Sequence, residues 1–381
     1  MRARRKTTTF QQRTPSRVLT EIGILPAFFP QIINPTIMLR DAKYLIAYTL
    51  PLSALLAVQL GGWWTYATVL YAFALLPVAD QWWPRDLSNH APEAEPDRSG
   101  RRFFDYLLYL NVPMLYAIYG YAFWRIGRGD YAAYELIGLV LSLGVFGGAS
   151  GINVAHELNH RSDRFERLLA KFLLLPTLYL HFTIEHNLGH HRHVATPLDP
   201  ATSRYGESVY AFWWRSVTGS WRSAWQLEAK RTEGAVLQNR IGHFAVLQLI
   251  YLGLIALFLG PLAALCALLI GVVAFLNLET VNYIEHYGLT RNQTATGRYE
   301  PVQPHHSWNS DHELGRIVLY ELTRHSDHHF RAARKYQILR RFEKSPQLPQ
   351  GYPTSMLLAL VPPLWFRVMD ARVAPFRHTV A

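Results

Sequence analysis

The sequence predicts an all-α integral membrane protein, with six transmembrane helices and a histidine-rich region on the cytoplasmic side. Three observations predict it. Of 381 residues, 50% are hydrophobic and 17% charged, below the roughly 25% charged residues of soluble domains. The apolar residues are bunched into six stretches, at 44–60, 63–79, 106–124, 134–155, 244–260 and 262–282. Each is about 17–22 residues long, enough for a helix to cross a hydrocarbon core of roughly 30 Å. Finally, fifteen of the seventeen histidines fall between His156 and His329.

The elements follow in chain order. Residues 1–43 begin Met-Arg-Ala-Arg-Arg-Lys and then carry Pro26, Pro30 and Pro35. They read as a cytoplasmic arm without the apolar core and cleavage site of a signal peptide. Residues 44–155 hold the first four spans, whose ends carry Trp63, Trp64, Trp82, Trp83 and Trp124, as interfacial belts do. Residues 84–101 read as a loop. Residues 156–243 form a cytoplasmic histidine region. Within it, the apolar run 168–184 is interrupted by Pro176 and is too short for a seventh span. Residues 244–285 hold the last two spans. Residues 286–381 form a C-terminal cytoplasmic region whose apolar run 356–368 is broken by Pro362 and Pro363.

Charge sets the orientation. The N-terminus, the 84–101 loop with its flanking Arg101 and Arg102, and segment 156–243 with eleven Lys or Arg face the cytoplasm by the positive-inside rule. Both termini then lie inside, as expected for a multi-pass protein of a bacterial cytoplasmic (inner) membrane. The net charge of +11 reflects topology and anionic lipid rather than nucleic acid, for which no motif is present. A lone Cys266 excludes intrachain disulfides and Cys-x-x-Cys metal sites, and reads as a packing residue.

Nine histidines form recurring clusters: His156-Glu-Leu-Asn-His160, Glu185-His186-Asn-Leu-Gly-His190-His191, Asn282-Tyr-Ile-Glu-His286 and His325-Ser-Asp-His328-His329. His156 and His160 share a helix face, as would His186 and His190, and His325, His328 and His329. Such spacing lets side chains converge on one ion. Neighbouring Glu157, Glu185, Glu285 and Asp327 are candidates to hold the second imidazole nitrogen. His-Glu-Leu-Asn-His also matches a zinc protease motif, but that reading leaves most clustered histidines unused. Nine ligands exceed one tetrahedral zinc and suit two ions of four or five ligands each. His181, His193, His305, His306 and His312 are expected in hydrogen-bonding roles; His90, His243 and His378 are ordinary.

The boxes resemble those of the integral-membrane non-haem di-iron enzymes, and within them most closely the alkane 1-monooxygenase family. The likeness runs through Glu185-His-Asn-Leu-Gly-His-His-Arg-His-Val-Ala-Thr-Pro-Leu-Asp-Pro-Ala-Thr-Ser203, Asn282-Tyr-Ile-Glu-His-Tyr-Gly-Leu-Thr-Arg291, Pro304-His-His-Ser-Trp-Asn-Ser310 and Leu322-Thr-Arg-His-Ser-Asp-His-His329. It covers roughly residues 44–370. The first box departs in its fourth and sixth places, where Asn159 and Arg161 stand for the more usual Gly and Lys, with the ligands kept. The resemblance implies two non-haem Fe ions on His156, His160, His186, His190, His191, His286, His325, His328 and His329. It implies O₂-dependent terminal hydroxylation of medium-to-long-chain n-alkanes to 1-alkanols. Electrons would come from a separate rubredoxin, with its reductase upstream, because one cysteine cannot supply a fused four-cysteine iron site. Arg324, Arg331, Arg334 and Lys335 are candidates to dock that acidic carrier. Ala72 on the second span is expected to line the substrate channel. Xylene-type methyl monooxygenases and membrane fatty-acyl desaturases or hydroxylases share such boxes and are the alternatives.

Overall fold

A computed structural model describes residues 40–376. The chain divides into Met1–Lys43 and Tyr44–Ala381. Of the first unit only residues 40–43 are described, so the expected N-terminal arm, like His378, lies outside the described residues. The second unit is helical, and its described residues form isolated bridges such as Arg85 with His312 but no sheet.

Among the described residues, five helices are long and apolar enough to cross a membrane: Ala42–Leu60, Gly62–Trp82, Ala133–Asn159, Arg240–Leu259 and Pro261–His286. They cover five of the six expected stretches. The remaining stretch, 106–124, falls across two helices, Arg102–Tyr109 and the 17-residue Asn111–Gly127. Pro113 explains the break. It lacks the N–H that would bond the Tyr109 carbonyl one turn earlier, so the ladder is interrupted there.

Short turns tie one end of the bundle. Gly61 and Gly260 take positive φ between consecutive helices, a region open to glycine. Tyr131 Oη donates to the Val58 carbonyl at 2.6 Å, and Gly127 sits against the Leu259 backbone. All four histidine clusters gather at the other end, on or after the last turns of Ala133–Asn159 and Pro261–His286. These two helices pack closely at Gly144, where a Cβ would lie 2.3 Å from Val273 Cγ1. Small residues permit such approach in lipid, where apolar burial gives helices little reason to associate. Arg240–Leu259, by contrast, exposes Leu249, Ile250, Leu257 and Phe258.

Three stretches of the described residues wind as π-helix: Tyr71–Leu75, Gly147–Ile152 and His186–His190. The interrupted apolar runs break where proline stands. Helix Arg164–Leu174 ends before Pro176, and Pro362 and Pro363 begin Pro362–Val373 after Tyr352–Ala359 has stopped. Proline suits a helix's first turn because the missing N–H has no partner there anyway. A second core of Tyr283, Tyr287, Trp308, Tyr352 and Trp365 fixes the C-terminal region on the end of Pro261–His286.

Candidate metal centre

Each histidine is placed by a helix end. His156 and His160 close the chain of turns ending Ala133–Asn159, and His286 is the last residue of Pro261–His286. His325, His328 and His329 stand on the short helix His325–Phe330. The Glu185 box behaves differently from a simple helix. The His191 backbone N–H bonds the His186 carbonyl, an i→i+5 turn. That winding brings His186 and His191, rather than His186 and His190, to one face. The α-helical pairing expected from the sequence is thereby corrected.

The result is two sets. His156, His160, His186, His191 and His328 offer ring nitrogens that all lie within 4.8 Å of one another; His190, His286, His325 and His329 form a second such set. In the first, the Nε2 atoms of His160 and His186, His186 and His191, and His191 and His328 are each 3.0 Å apart. In the second, His190 and His329 approach to 3.2 Å, His329 and His325 to 2.9 Å, and His325 and His286 to 3.2 Å. Hydrogen bonding alone does not account for this. A neutral imidazole nitrogen carries either one proton or one lone pair, yet Nε2 of His186, His191, His325 and His329 each meets two others. Two imidazole nitrogens bound about 2.0–2.1 Å from one ion at tetrahedral or octahedral angles lie about 3 Å apart. The nitrogens converge as ligands do, and the residues fit a metal at each set.

Burial keeps six of these rings neutral. Burial, reinforced by His190 and Arg161, pushes His160 down to about 3. Burial and then neighbouring histidines hold His186, His191, His325, His328 and His329 well below the usual imidazole range. Their lone pairs are therefore free for a cation.

The acidic neighbours divide. Glu285 accepts from Tyr352 Oη at 2.7 Å and holds its other oxygen 3.2 Å from His325 Nε2, at the rim of the four-histidine set. Glu185 is buried beside Ser223 Oγ at 3.4 Å; burial, then the charges of Asp199 and Glu279, pushes its carboxyl well up. Glu157 turns to Arg161 at 2.8 Å and the Tyr336 N–H, and Asp327 to Arg340 at 3.0 Å and Arg334 at 3.4 Å. A further carboxylate at the centre stands outside the acidic neighbours read from the sequence. Asp199 Oδ2 lies 2.8 Å from His190 Nδ1 and also accepts from Thr202 Oγ1. It fixes the tautomer that turns the His190 Nε2 lone pair to its set. The signal was present, since Asp199 sits nine residues past His190 in the Asp-Pro-Ala-Thr-Ser stretch.

Other expectations sort themselves. His306 Nδ1 accepts the Gln303 N–H at 3.0 Å, so its proton is on Nε2, which points at Glu300. His312 Nδ1 lies 3.4 Å from Asp80. Arg324 is a correction. It is buried, donating to the Leu339 and Ser88 carbonyls and facing Glu321, so it cannot dock a partner. Arg334 and Lys335 are likewise engaged, with Glu95 and Asp105. Of the four, Arg331 alone is exposed.

An apolar cavity of about 60 Å³ is lined by Ala72, Leu76, Val145, Leu278, Val281 and Leu319, among others. Asn153, Leu278, Val281 and Leu322 also wall a smaller void that reaches His156, His186 and His325. The apolar cavity is thus walled off from the void beside both histidine sets by these four shared residues alone.

Long apolar helices carrying buried, convergent histidines at one end define the histidine-box membrane oxidoreductases. A family model described as fatty acid desaturase matches residues 132–357. The chain is 41% identical over 320 residues to an alkane 1-monooxygenase of Pseudomonas putida, covering 82% of this chain and 79% of that protein. It is 39% identical to alkane 1-monooxygenase 1 of Alcanivorax borkumensis over 86% of this chain and 83% of that one. The hydroxylase component of a Pseudomonas putida xylene/toluene monooxygenase is more distant, at 29% over 86% and 87%. The chain belongs to the alkane 1-monooxygenase family.

Proposed function

We propose that this protein hydroxylates the terminal methyl of medium-to-long-chain n-alkanes, consuming O₂, two electrons and two protons and releasing a 1-alkanol and water. The observation that carries the reading is an apolar cavity that shares four wall residues with a small void bordered by histidines of both buried sets. Two iron ions would occupy them, one on His156, His160, His186, His191 and His328, the other on His190, His286, His325 and His329. Iron supplies the redox activation of O₂ that zinc, with no accessible redox change, does not. His156 and His160 join three further histidines, unlike the three protein ligands of a catalytic zinc site.

The chain's own residues supply position. An alkane offers no polar handle, so orientation comes from a narrow apolar space that admits the chain end-on. Ala72, Leu76 and Leu319 line that space away from the histidines, while Leu278, Val281 and Leu322 border the approach to them. Burial is worth about 0.8 kcal/mol per methylene, but lipid offers much the same. Chain-length preference therefore follows where the space ends, and Ala72 leaves it open. The electrons come from a separate rubredoxin. The protein sits in the bacterial inner membrane with six spans, the third formed by Asn111–Gly127 and its preceding helix, and with the histidines on the cytoplasmic side. The basic loops support that orientation.

The test is direct. The iron-loaded protein in lipid is given O₂, NADH, rubredoxin reductase and rubredoxin with a mixture of n-alkanes, p-xylene and a fatty acid. A 1-alkanol as the main product supports the reading. A methylbenzyl alcohol as main product favours the xylene-type alternative, to which the 29% identical relative gives its weight. A desaturated or hydroxylated fatty acid refutes both.

A further inference from the structure

The hydroxylation, if it proceeds as proposed, takes in two protons and releases one water at each turnover. The apolar cavity is a poor path for either. A second approach exists. An open crevice of about 710 Å³ is lined by Tyr179, His181, Thr218, Arg222, Gln226 and Gln248, with apolar neighbours. Tyr179 and His181 also wall an inner void of about 10 Å³, which reaches His186 of one set and His190 of the other. That volume is near the least that holds one water. Its remaining walls include Ser220, Glu279 and Asn282.

Helix Pro261–His286 borders both approaches, which enter separately and converge at the centre, where Phe182, His186 and Asn282 line both inner voids. Leu278, Val281 and Glu285 (i, i+3, i+7) border the apolar space or its inner void. Phe275, Glu279 and Asn282 (i, i+4, i+7) border the crevice or the polar void. Glu279 is 1% exposed and lies in a helix apolar enough to span a membrane. A carboxyl there is costly and marks a proton or substrate pathway more often than a structural tie. It accepts from Tyr179 Oη at 2.7 Å, from Ser216 Oγ, and from Asn282 Nδ2 at 3.4 Å. His181 meets Tyr179 edge-to-face, with ring centroids 4.3 Å apart. It is 6% exposed, and its Nε2 has no hydrogen-bond partner among the described residues. A buried ring nitrogen without a partner, on the wall between crevice and void, is a place for water.

We propose that Tyr179, His181 and Glu279 form a polar conduit that brings protons from the crevice to the histidine centre and lets water out, apart from the alkane's path. The proposal rests on the hydroxylation reading. Its bland rival is that Glu279 merely ties Val209–Arg231, through Ser216, to Pro261–His286.

The experiment compares Glu279→Gln, which keeps size and acceptor but cannot pass a proton, with Glu279→Asp. The conduit predicts native iron content in Glu279→Gln. It also predicts a roughly 100-fold lower kcat, hydrogen peroxide in place of alcohol, an increased D₂O effect on kcat, and partial rescue by Asp. A second readout needs no metal. The infrared carboxyl band of Glu279, identified by its loss in Glu279→Gln, should shift within seconds of transfer of the iron-free protein to D₂O. Thr218→Trp, which fills the crevice, should slow that shift. Native kcat and coupling in Glu279→Gln overturn the proposal. So does lost activity with an unchanged isotope effect and no rescue by Asp, the pattern of a structural tie. If Glu279→Gln does not retain iron, His181→Phe is judged by the same coupling ratio and isotope effect. A native protein that makes no alkanol counts against the hydroxylation reading, whereas a carboxyl band that fails to exchange counts against the conduit alone.

Discussion

Asp199→Asn tests the partition of the nine histidines most sharply. Asp199 is buried, and its Oδ2 lies 2.8 Å from His190 Nδ1, while Oδ1 accepts the Ala201 N–H at 3.0 Å. Asparagine keeps the Ala201 bond, so the loop from Thr196 to Ser203 should hold its shape. With the amide oxygen on the Ala201 N–H, the NH₂ stands where Oδ2 met His190 Nδ1 and Thr202 Oγ1. A hydrogen bond to an ionised partner contributes about 1.5–3 kcal/mol and a neutral one about 0.5–1.5. Facing an NH₂ donor, a protonated Nδ1 loses the bond altogether, about 1.5–3 kcal/mol. His190 would then carry its proton on Nε2 and leave the set. Outer partners of metal-bound histidine typically contribute 10–100-fold in affinity. The metal on His190, His286, His325 and His329 should therefore weaken by roughly that factor, while the metal on the five-histidine set is unaffected. Competition with a chelator, fitted as two classes of iron, measures both. Equal weakening of the two classes, or none in either, would refute the assignment of His190 and the orienting role of Asp199.

Further outcomes follow from other parts of the molecule. Ala72→Trp should shorten the longest alkane accepted, with kcat/KM for chains beyond the new limit reduced roughly 10–200-fold and shorter chains little changed. Product analysis of an n-alkane ladder reads this, and an unaltered profile would sink the channel assignment. Glu321→Gln should destabilise by about 3–5 kcal/mol, because it leaves buried Arg316 and Arg324 without their shared carboxylate. Glu321 also sets a pH dependence. Burial pushes its carboxyl up, but Arg316 and Arg324 outweigh that and hold it at about 2. A depressed folded-state value stabilises fully above the ordinary carboxylate range, about 4.5, and is lost as pH falls from there toward 2. The native protein's unfolding temperature should drop across that window, and Glu321→Gln should show a smaller drop. An identical drop in both would place the acid sensitivity elsewhere.

Much of the fold is legible in the sequence because hydrophobic length and loop composition act locally. Residues 134–155 and 262–282 are too apolar for any other use, and Gly61 and Gly260 mark the turns between the first two and the last two spans. The broken third stretch is harder to read, since apolar composition does not change at Pro113 although the backbone ladder does. The histidines announce a metal centre through number and spacing. Their division into five and four is hidden, because α-helical spacing puts His186 with His190. Only the π turn, which depends on how Phe182–Glu185 enters the centre, puts His186 with His191. Asp199 and Glu279 escape notice because neither stands beside a clustered histidine. Each is defined by a partner distant in the chain or across a loop, Tyr179 for Glu279 and His190 for Asp199. Arg324 shows the converse: charge patterning suggests surface, but a buried Glu321 and two backbone carbonyls draw it inside.

The central claim is that the nine histidines hold two irons in separate sets. Iron per chain, measured by mass spectrometry on protein purified from iron-supplied cells, tests it most directly. Two irons are expected in the native chain. His160→Ala, in the five-histidine set, and His286→Ala, in the four-histidine set, should each retain one, with different spectroscopic signatures of the iron that remains. A single iron in the native chain, zinc in its place, or loss of all metal from either variant alone would contradict the account.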